Sequence, residues 1–228
     1  MVFKRRKPRT YLEWMADGVY PRGGWPRAAR YVVHRLRRLP DPAHKISRGI
    51  AAGVFASFTP FFGFHFVIAA TIAWAVRGNI MAALLATFVG NPLTFPFIAA
   101  VSMELGSRML GHPPVPLPYV VAAFSGATLE LWRNLMAIFT PEPTNWSHLA
   151  QFWRGIFLPY LLGGILPGLG TAMAFYFLSN PLLGAYQRAR VARLKKRFAR
   201  KREKMEALRA EALKAEALKA AQSHAAAE

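Results

Sequence analysis

Residues 49–109 read GIAAGVFASFTPFFGFHFVIAATIAWAVRGNIMAALLATFVGNPLTFPFIAAVSMELGSRM, and this stretch decides the fold of the chain. Only three of its residues carry a charge. Two apolar runs are each interrupted near the middle by a polar residue that is followed by proline, Thr59-Pro60 in the first run and Asn91-Pro92 in the second. Such interrupted apolar runs are typical of broken or re-entrant membrane helices.

The first apolar run is too long for one straight membrane helix. It extends over the 28 residues 49–76, which would form a helix of about 42 Å, against a hydrocarbon layer of about 30 Å. We therefore expect a break in each run, with Thr59 and Asn91 as N-cap residues and Pro60 and Pro92 at the first helical position.

The two runs also resemble each other. The sequence FHFVIA of residues 64–69 aligns with FPFIAA of residues 95–100 at an offset of 31 residues. This similarity predicts a duplicated helix–break–helix unit, a plan that recurs in membrane proteins with a binding site at the bilayer midplane.

The clearest candidate for a membrane span is the apolar stretch 152–179. It contains Gly164 and Gly168, and the first run contains Gly49 and Gly53 at the same spacing of four residues. Small residues at this spacing allow the backbones of two helices to approach closely. Both pairs therefore predict helix-packing faces.

Basic residues are concentrated at the two ends of the chain. The formal net charge is +19, and Lys and Arg number 13 in residues 1–48, 4 in residues 49–184 and 13 in residues 185–228. This distribution indicates a membrane segment with basic flanks and excludes a specific nucleic-acid-binding surface. Because Lys and Arg mark the cytoplasmic side, we expect both termini in the cytoplasm and an even number of crossings.

The expected fold is an all-α integral membrane protein. It would be a small helical bundle with two Pro-broken, spanning or re-entrant, helices and basic amphipathic terminal helices. Its parts would be a cytoplasmic tail and amphipathic helix (1–45), a membrane domain (46–180) and a basic helix with an Ala/Glu/Lys-rich tail (181–228). An even number of crossings is met by four segments or by two re-entrant hairpins plus two crossings; the four segments would be 46–76, 79–110, 117–138 and 153–180.

The terminal helices are predicted to contact membrane lipids. Residues 27–39 and 185–205 both combine a basic face with a few apolar residues at helical spacing. Helices of this kind lie in the membrane interface and attract anionic headgroups, as would the basic tail 1–26.

The breaks are the best candidates for a binding site. A helix that begins inside the membrane directs free N–H groups and its positive dipole end inward. Two such starts could converge on a polar or anionic group. Alternatively, Thr and Asn only cap the broken helices, the histidine only packs, and the Arg-Gly-Asn sequence is a hairpin turn. The candidate substrate-binding residues are Thr59, Pro60, His65, Arg77, Asn79, Asn91, Pro92 and Thr94.

The sequence carries no catalytic motif. It has no cysteine and its six histidines are scattered, and it lacks the metalloprotease, phosphate-loop and nucleophile-elbow patterns. We therefore expect no enzymatic activity, no metal and no cofactor.

A set of residues between positions 35 and 180 resembles the bacterial membrane family named domain of unknown function 2062. The resemblance implies a small inner-membrane protein, and relatives joined to glycosyltransferase modules imply a role with envelope lipids or glycans. It implies no catalytic residues. The residues that carry it are Pro42, Ile46, Gly49, Ala51, Gly53, Phe55, Pro60, Gly63, Arg77, Asn79, Asn91, Pro92, Leu93, Thr94 and Pro96.

Two functions are compatible with these features. In the first, the paired breaks bind, transport or flip a lipid or another amphipathic envelope substrate. In the second, the protein is a membrane scaffold or anchor that recruits a partner through its basic terminal helices. An envelope-biosynthesis partner or a second copy of the chain is the expected protein partner.

Overall fold

The computed structural model describes residues 24–113, 115–140 and 143–225, and the described chain is helical, without strands. The chain forms two compact units, Met1–Leu182 and Leu183–Glu228. Two short turns of other helix types are present, a 3₁₀ turn at Thr87–Val89 and a π-helical turn at Trp153–Phe157. The α-helices are α1 (Gly24–Arg38), α2 (Ala43–Ala56), α3 (His65–Ala75), α4 (Ile80–Ala86), α5 (Phe95–Leu110), α6 (Leu117–Ala137), α7 (Ser147–Phe152) and α8 (Leu158–Ala225).

Both proline breaks are present, but Thr59 is not the predicted N-cap and both helices begin later than predicted. The helices after the breaks begin at His65 and Phe95, about one turn later than Pro60 and Pro92. The hydroxyl of Thr59 donates a hydrogen bond of 2.7 Å back to the carbonyl of Ala56. Thr59 therefore completes the end of α2 and does not begin α3. Residues 1–23 of the predicted basic tail 1–26 lie outside the described residues.

Asp41 precedes Pro42 but does not cap α2. The N-cap of α2 is Pro42, without a side-chain cap hydrogen bond. The Asp41 carboxylate instead forms a 3.0 Å ion pair with Lys45 and accepts a hydrogen bond from the side chain of Asn79. These contacts connect the start of α2 to the start of α4.

Two glycines allow α2 and α4 to pack in backbone contact, as predicted. A Cβ on Gly49 would lie 2.1 Å from the carbonyl oxygen of Asn79, and one on Gly53 would lie 2.1 Å from that of Ala83. Helix α3 covers the same face, and the core between the three helices consists of small side chains. Its buried members are Ala52, Ala56, Ala69, Ala73 and Ala83.

A second close crossing joins α5 to α8. A Cβ on Gly106 would lie 1.7 Å from the carbonyl oxygen of Pro159, and one on Gly163 would lie 1.9 Å from that of Ser102. The predicted glycine pair of α8 also packs closely, because a Cβ on Gly164 would lie 2.3 Å from the carbonyl oxygen of Phe58. The first break is thus held against α8.

One helical stretch of the described chain, Ser147–Arg209, is long and apolar enough to cross a membrane. Only 22% of its most apolar window is buried, whereas the core helix of a soluble protein is mostly buried. The stretches His65–Ala75 and Ile80–Val89 are apolar but shorter. Helix α6 has sufficient length, but Glu130 and Arg133 lie within it.

Candidate functional site

The two breaks lie next to each other. The ring of Phe62, in the first break, lies 5.1 Å from the ring of Phe95, the first residue after the second break. The His65 ring lies 5.6 Å from the same Phe95 ring. Phe62 also contacts α6 and α8 through Phe124 at 4.6 Å and Tyr160 at 6.1 Å. The structure therefore brings the two breaks together through aromatic side chains.

In the second break, the polar side chains close a turn. The Asn91 side-chain oxygen accepts hydrogen bonds from the backbone N–H of Leu93 at 2.9 Å and of Thr94 at 3.2 Å. In return, the Thr94 hydroxyl accepts one from the Asn91 N–H at 3.0 Å. This reciprocal pattern resembles a helix capping box. The hydrogen-bonding groups of both side chains thus serve the turn that Pro92 begins.

In the first break, the polar groups are partly buried. Pro60 is fully buried and Thr59 is buried. An imidazole nitrogen of the half-buried His65, Nε2, lies 3.2 Å from the Thr59 carbonyl oxygen. This contact bridges the turn around Gly63, which adopts a φ of +86° that favours glycine.

Arg77 and Asn79 are not part of this cluster. They follow α3, at the end opposite to the breaks. Arg77 is exposed and adopts a φ of +52°. The Asn79 side chain accepts a 2.6 Å hydrogen bond from the N–H of Ala82 and donates one to Asp41. Asn79 is therefore the N-cap of α4, and the candidate residues fall into two groups, one at each end of α3.

The contact between Asp41 and Asn79 predicts a pH dependence of stability. Hydrogen bonds from Asn79 and then from Lys45 hold the pKa of the Asp41 carboxyl below its ordinary value of 3.8. A carboxyl whose pKa is lower in the folded state than in the unfolded state stabilises the fold at pH values above the unfolded-state pKa. This contribution is lost as the pH falls through the folded-state pKa. We expect the difference in unfolding temperature between the native protein and Asp41→Ala to be largest near neutral pH and to shrink below about pH 3.8.

Glu206→Ala is the matched control for Asp41→Ala. Glu206 also pairs with a residue four positions away, Arg202, but both side chains are largely exposed. Exposed pairs of this kind contribute little to stability, so Glu206→Ala should leave the unfolding temperature unchanged at every pH. If the difference in unfolding temperature between the native protein and Asp41→Ala stays constant from pH 7 to pH 3, the carboxylate does not have the role proposed for it.

Large apolar side chains are exposed around the breaks. Phe64 is 65% exposed, Phe66 59% and Phe97 75%. Large exposed apolar side chains of this kind are typical of surfaces that contact lipid or another protein. This apolar surface lies on helices that are predicted from the sequence to lie in the membrane.

The structure also contains a cavity that the sequence did not predict. It has a volume of about 790 Å³ and lies between α6, the connector after α5 and the segment that includes α7. The only sequence signal for it is a cluster of small residues on α6, at positions 122–127. No group of three or more His, Cys, Asp or Glu in the described chain could hold a metal ion.

The chain matches the model of a known family. The model of a family described as "Uncharacterized protein conserved in bacteria (DUF2062)" matches residues 26–192. The chain matches no curated protein and no solved structure. The family match covers both breaks, both close helix crossings and the cavity.

Proposed function

The chain belongs to the bacterial DUF2062 family, and from this premise we propose that it is an integral inner-membrane protein that binds a lipid or another amphipathic envelope molecule at its paired breaks. Both termini would lie in the cytoplasm, where the basic residues of the ends contact anionic headgroups. The protein would present, transport or flip its ligand and would catalyse no reaction.

The exposed aromatic surface around the breaks carries this proposal. Phe64 and Phe97 are exposed beside two turns whose polar groups are closed by internal hydrogen bonds. Such a surface is suited to acyl chains, because the polar side chains of Thr59, Asn91 and Thr94 are hydrogen-bonded within the protein. His65 is an ionisable group that lies beside both breaks, and it would contact the polar part of the ligand.

Photo-crosslinking tests the proposal. A benzoylphenylalanine at position 64 should capture one lipid class in excess of its share of the bulk membrane. Asn91→Ala should reduce this excess, because it removes the side-chain hydrogen bonds to Leu93 and Thr94 that hold the adjacent turn. The control is the same probe at position 198, on the basic helix, where the native Phe198 is 68% exposed. Capture of lipids in bulk proportions at position 64 would refute a specific site at the breaks.

A scaffold function is the second candidate. Val191, Leu194 and Phe198 are exposed on a strongly basic part of α8, which suits contact with an anionic membrane surface or an acidic partner. This alternative predicts that deletion of residues 185–228 abolishes the function while changes at the breaks are tolerated. The reverse result would exclude it.

A further inference from the structure

We propose that the cavity beside α6 is a separate binding site for an anionic phospholipid, with Arg133 holding the phosphate and the small-residue face of α6 holding an acyl chain. The inference rests on the membrane location proposed above, but it does not require a ligand at the breaks. The volume of the cavity, about 790 Å³, lies within the range of about 300–1,000 Å³ that is usual for sites that enclose small organic ligands.

The lining of the cavity is apolar along one half of α6. Ala122, Ala123, Gly126 and Ala127 line it there, together with Phe152 of α7. A Cβ on Gly126 would meet no atom within 4 Å, which shows that the space in front of it is open. Small side chains on one helix and an aromatic ring opposite form a slot that suits a hydrocarbon chain.

The lining is polar toward the end of α6. Glu130, Arg133 and Asn134 lie there, with His148 and Gln151 opposite. Glu130 and the alanine face are adjacent on the helix, so an amphipathic molecule could contact both halves at once. A molecule with a polar head and an apolar chain matches this division better than a wholly polar solute does.

Two of these polar residues are already used within the protein. The Glu130 carboxylate accepts hydrogen bonds from the backbone N–H groups of His148, at 3.3 Å, and of Leu149. The Asn134 side chain donates to the carbonyl of Asn145 at 2.6 Å and accepts from its N–H at 3.1 Å. These residues hold the wall of the cavity and are not available to a ligand.

Arg133 remains as the charged group for a ligand. It is exposed, and within the described part of the chain it has no ion-pair partner. The carboxylate of the nearby Glu130 is bound by two backbone N–H groups. A guanidinium forms paired hydrogen bonds with phosphate oxygens, and the His148 imidazole on the opposite wall can add a further donor. Charge complementarity thus favours an anionic phosphate head.

The test measures binding of three probes to the full-length chain in a neutral detergent by native mass spectrometry. The probes are a short-chain phosphatidylglycerol, a phosphatidylcholine with the same chains, and glycerol phosphate. We expect the phosphatidylglycerol to bind at least about tenfold more tightly than the other two. If phosphatidylcholine binds as tightly as phosphatidylglycerol, the site has no preference for an anionic head and the proposal is overturned. If glycerol phosphate binds as tightly as phosphatidylglycerol, the site binds a free phosphate ester and not a lipid.

Variants locate the site. Arg133→Gln should weaken phosphatidylglycerol binding about tenfold, whereas Arg154→Gln, which removes an exposed arginine outside the cavity lining, should not. Gly126→Phe should abolish binding because the ring fills the apolar half. Ala122→Leu is a milder block if Gly126→Phe does not fold. Equal losses for the two arginine variants, or no effect of both blocking variants, would overturn the proposal. Photo-crosslinking at position 64 tests the breaks independently of these results.

Discussion

Gly106→Ala is expected to destroy the crossing of α5 and α8. The new Cβ would lie 1.7 Å from the Pro159 carbonyl oxygen and 2.5 Å from the carbonyl carbon. These are backbone atoms, so no side-chain rotation can relieve the clash and the two helices must separate. Gly163 lies opposite, with the backbone N–H of Gly106 2.3 Å from its Cβ position. Both glycines are therefore required for the same contact.

The expected loss is at least about 3 kcal/mol, the upper part of the usual range for overpacking. For a chain of 228 residues, such a loss would lower the unfolding temperature in detergent by about 10 °C. Gly170→Ala is the matched control in α8, because a Cβ there would meet no atom within 4 Å. It should raise stability slightly, since alanine favours a helix over glycine by about 0.5–1 kcal/mol. If Gly106→Ala unfolds at the same temperature as the native protein, α5 and α8 do not touch.

Phe97→Lys is expected to prevent stable insertion of the chain into the membrane. Phe97 is 75% exposed on α5, so the lysine would clash with no part of the protein. A lysine at the centre of a membrane segment costs about 2.5–3.5 kcal/mol, whereas the same change on a water-exposed surface costs almost nothing. The effect of this substitution therefore distinguishes a lipid-facing surface from an aqueous one.

The measurement is the amount of protein that stays in the membrane fraction after an alkaline carbonate wash. Phe198→Lys is the control, since Phe198 is 68% exposed but lies among basic residues near the end of the chain. We expect a severalfold loss for Phe97→Lys and none for Phe198→Lys. Unchanged retention of Phe97→Lys would mean that the α5 surface does not face lipid.

The positions of the breaks and of the packing faces were predictable from local sequence. Proline disfavours the interior of a helix, although α8 continues through Pro167 and Pro181. Glycines four residues apart predict close contact between membrane-like helices. For this reason, Thr59-Pro60, Asn91-Pro92 and the pair Gly49 and Gly53 were placed correctly. The match to the family model likewise confirms the resemblance drawn from motif residues.

The exact helix starts and the hydrogen-bond partners depend on contacts that local sequence does not reveal. Phe62 packs against Phe95, Phe124 and Tyr160, and this aromatic packing accompanies a loop between Pro60 and the start of α3. Asp41 bonds to a side chain 38 residues away. N-cap rules consider only the residues next to a helix, so they gave Thr59 the wrong role.

The cavity was not predictable for a similar reason. It exists because a loop folds back on α6, where Asn134 holds the backbone of Asn145, 11 residues further along the chain. The small residues of α6 show in the sequence only as a weakly amphipathic helix. Without the loop, the same face would be an ordinary packing surface.

The central claim is that the surface around the breaks lies in the membrane while the basic end lies in the cytoplasm. The chain has no cysteine, so the single substitutions Phe97→Cys and Lys201→Cys can each be labelled without background, using a membrane-impermeant maleimide on intact cells and on inside-out vesicles. We predict that Lys201→Cys is labelled only in inside-out vesicles and that Phe97→Cys is labelled in neither until the protein is denatured. Labelling of Phe97→Cys in either preparation before denaturation, or recovery of the chain in the soluble fraction, would contradict the account.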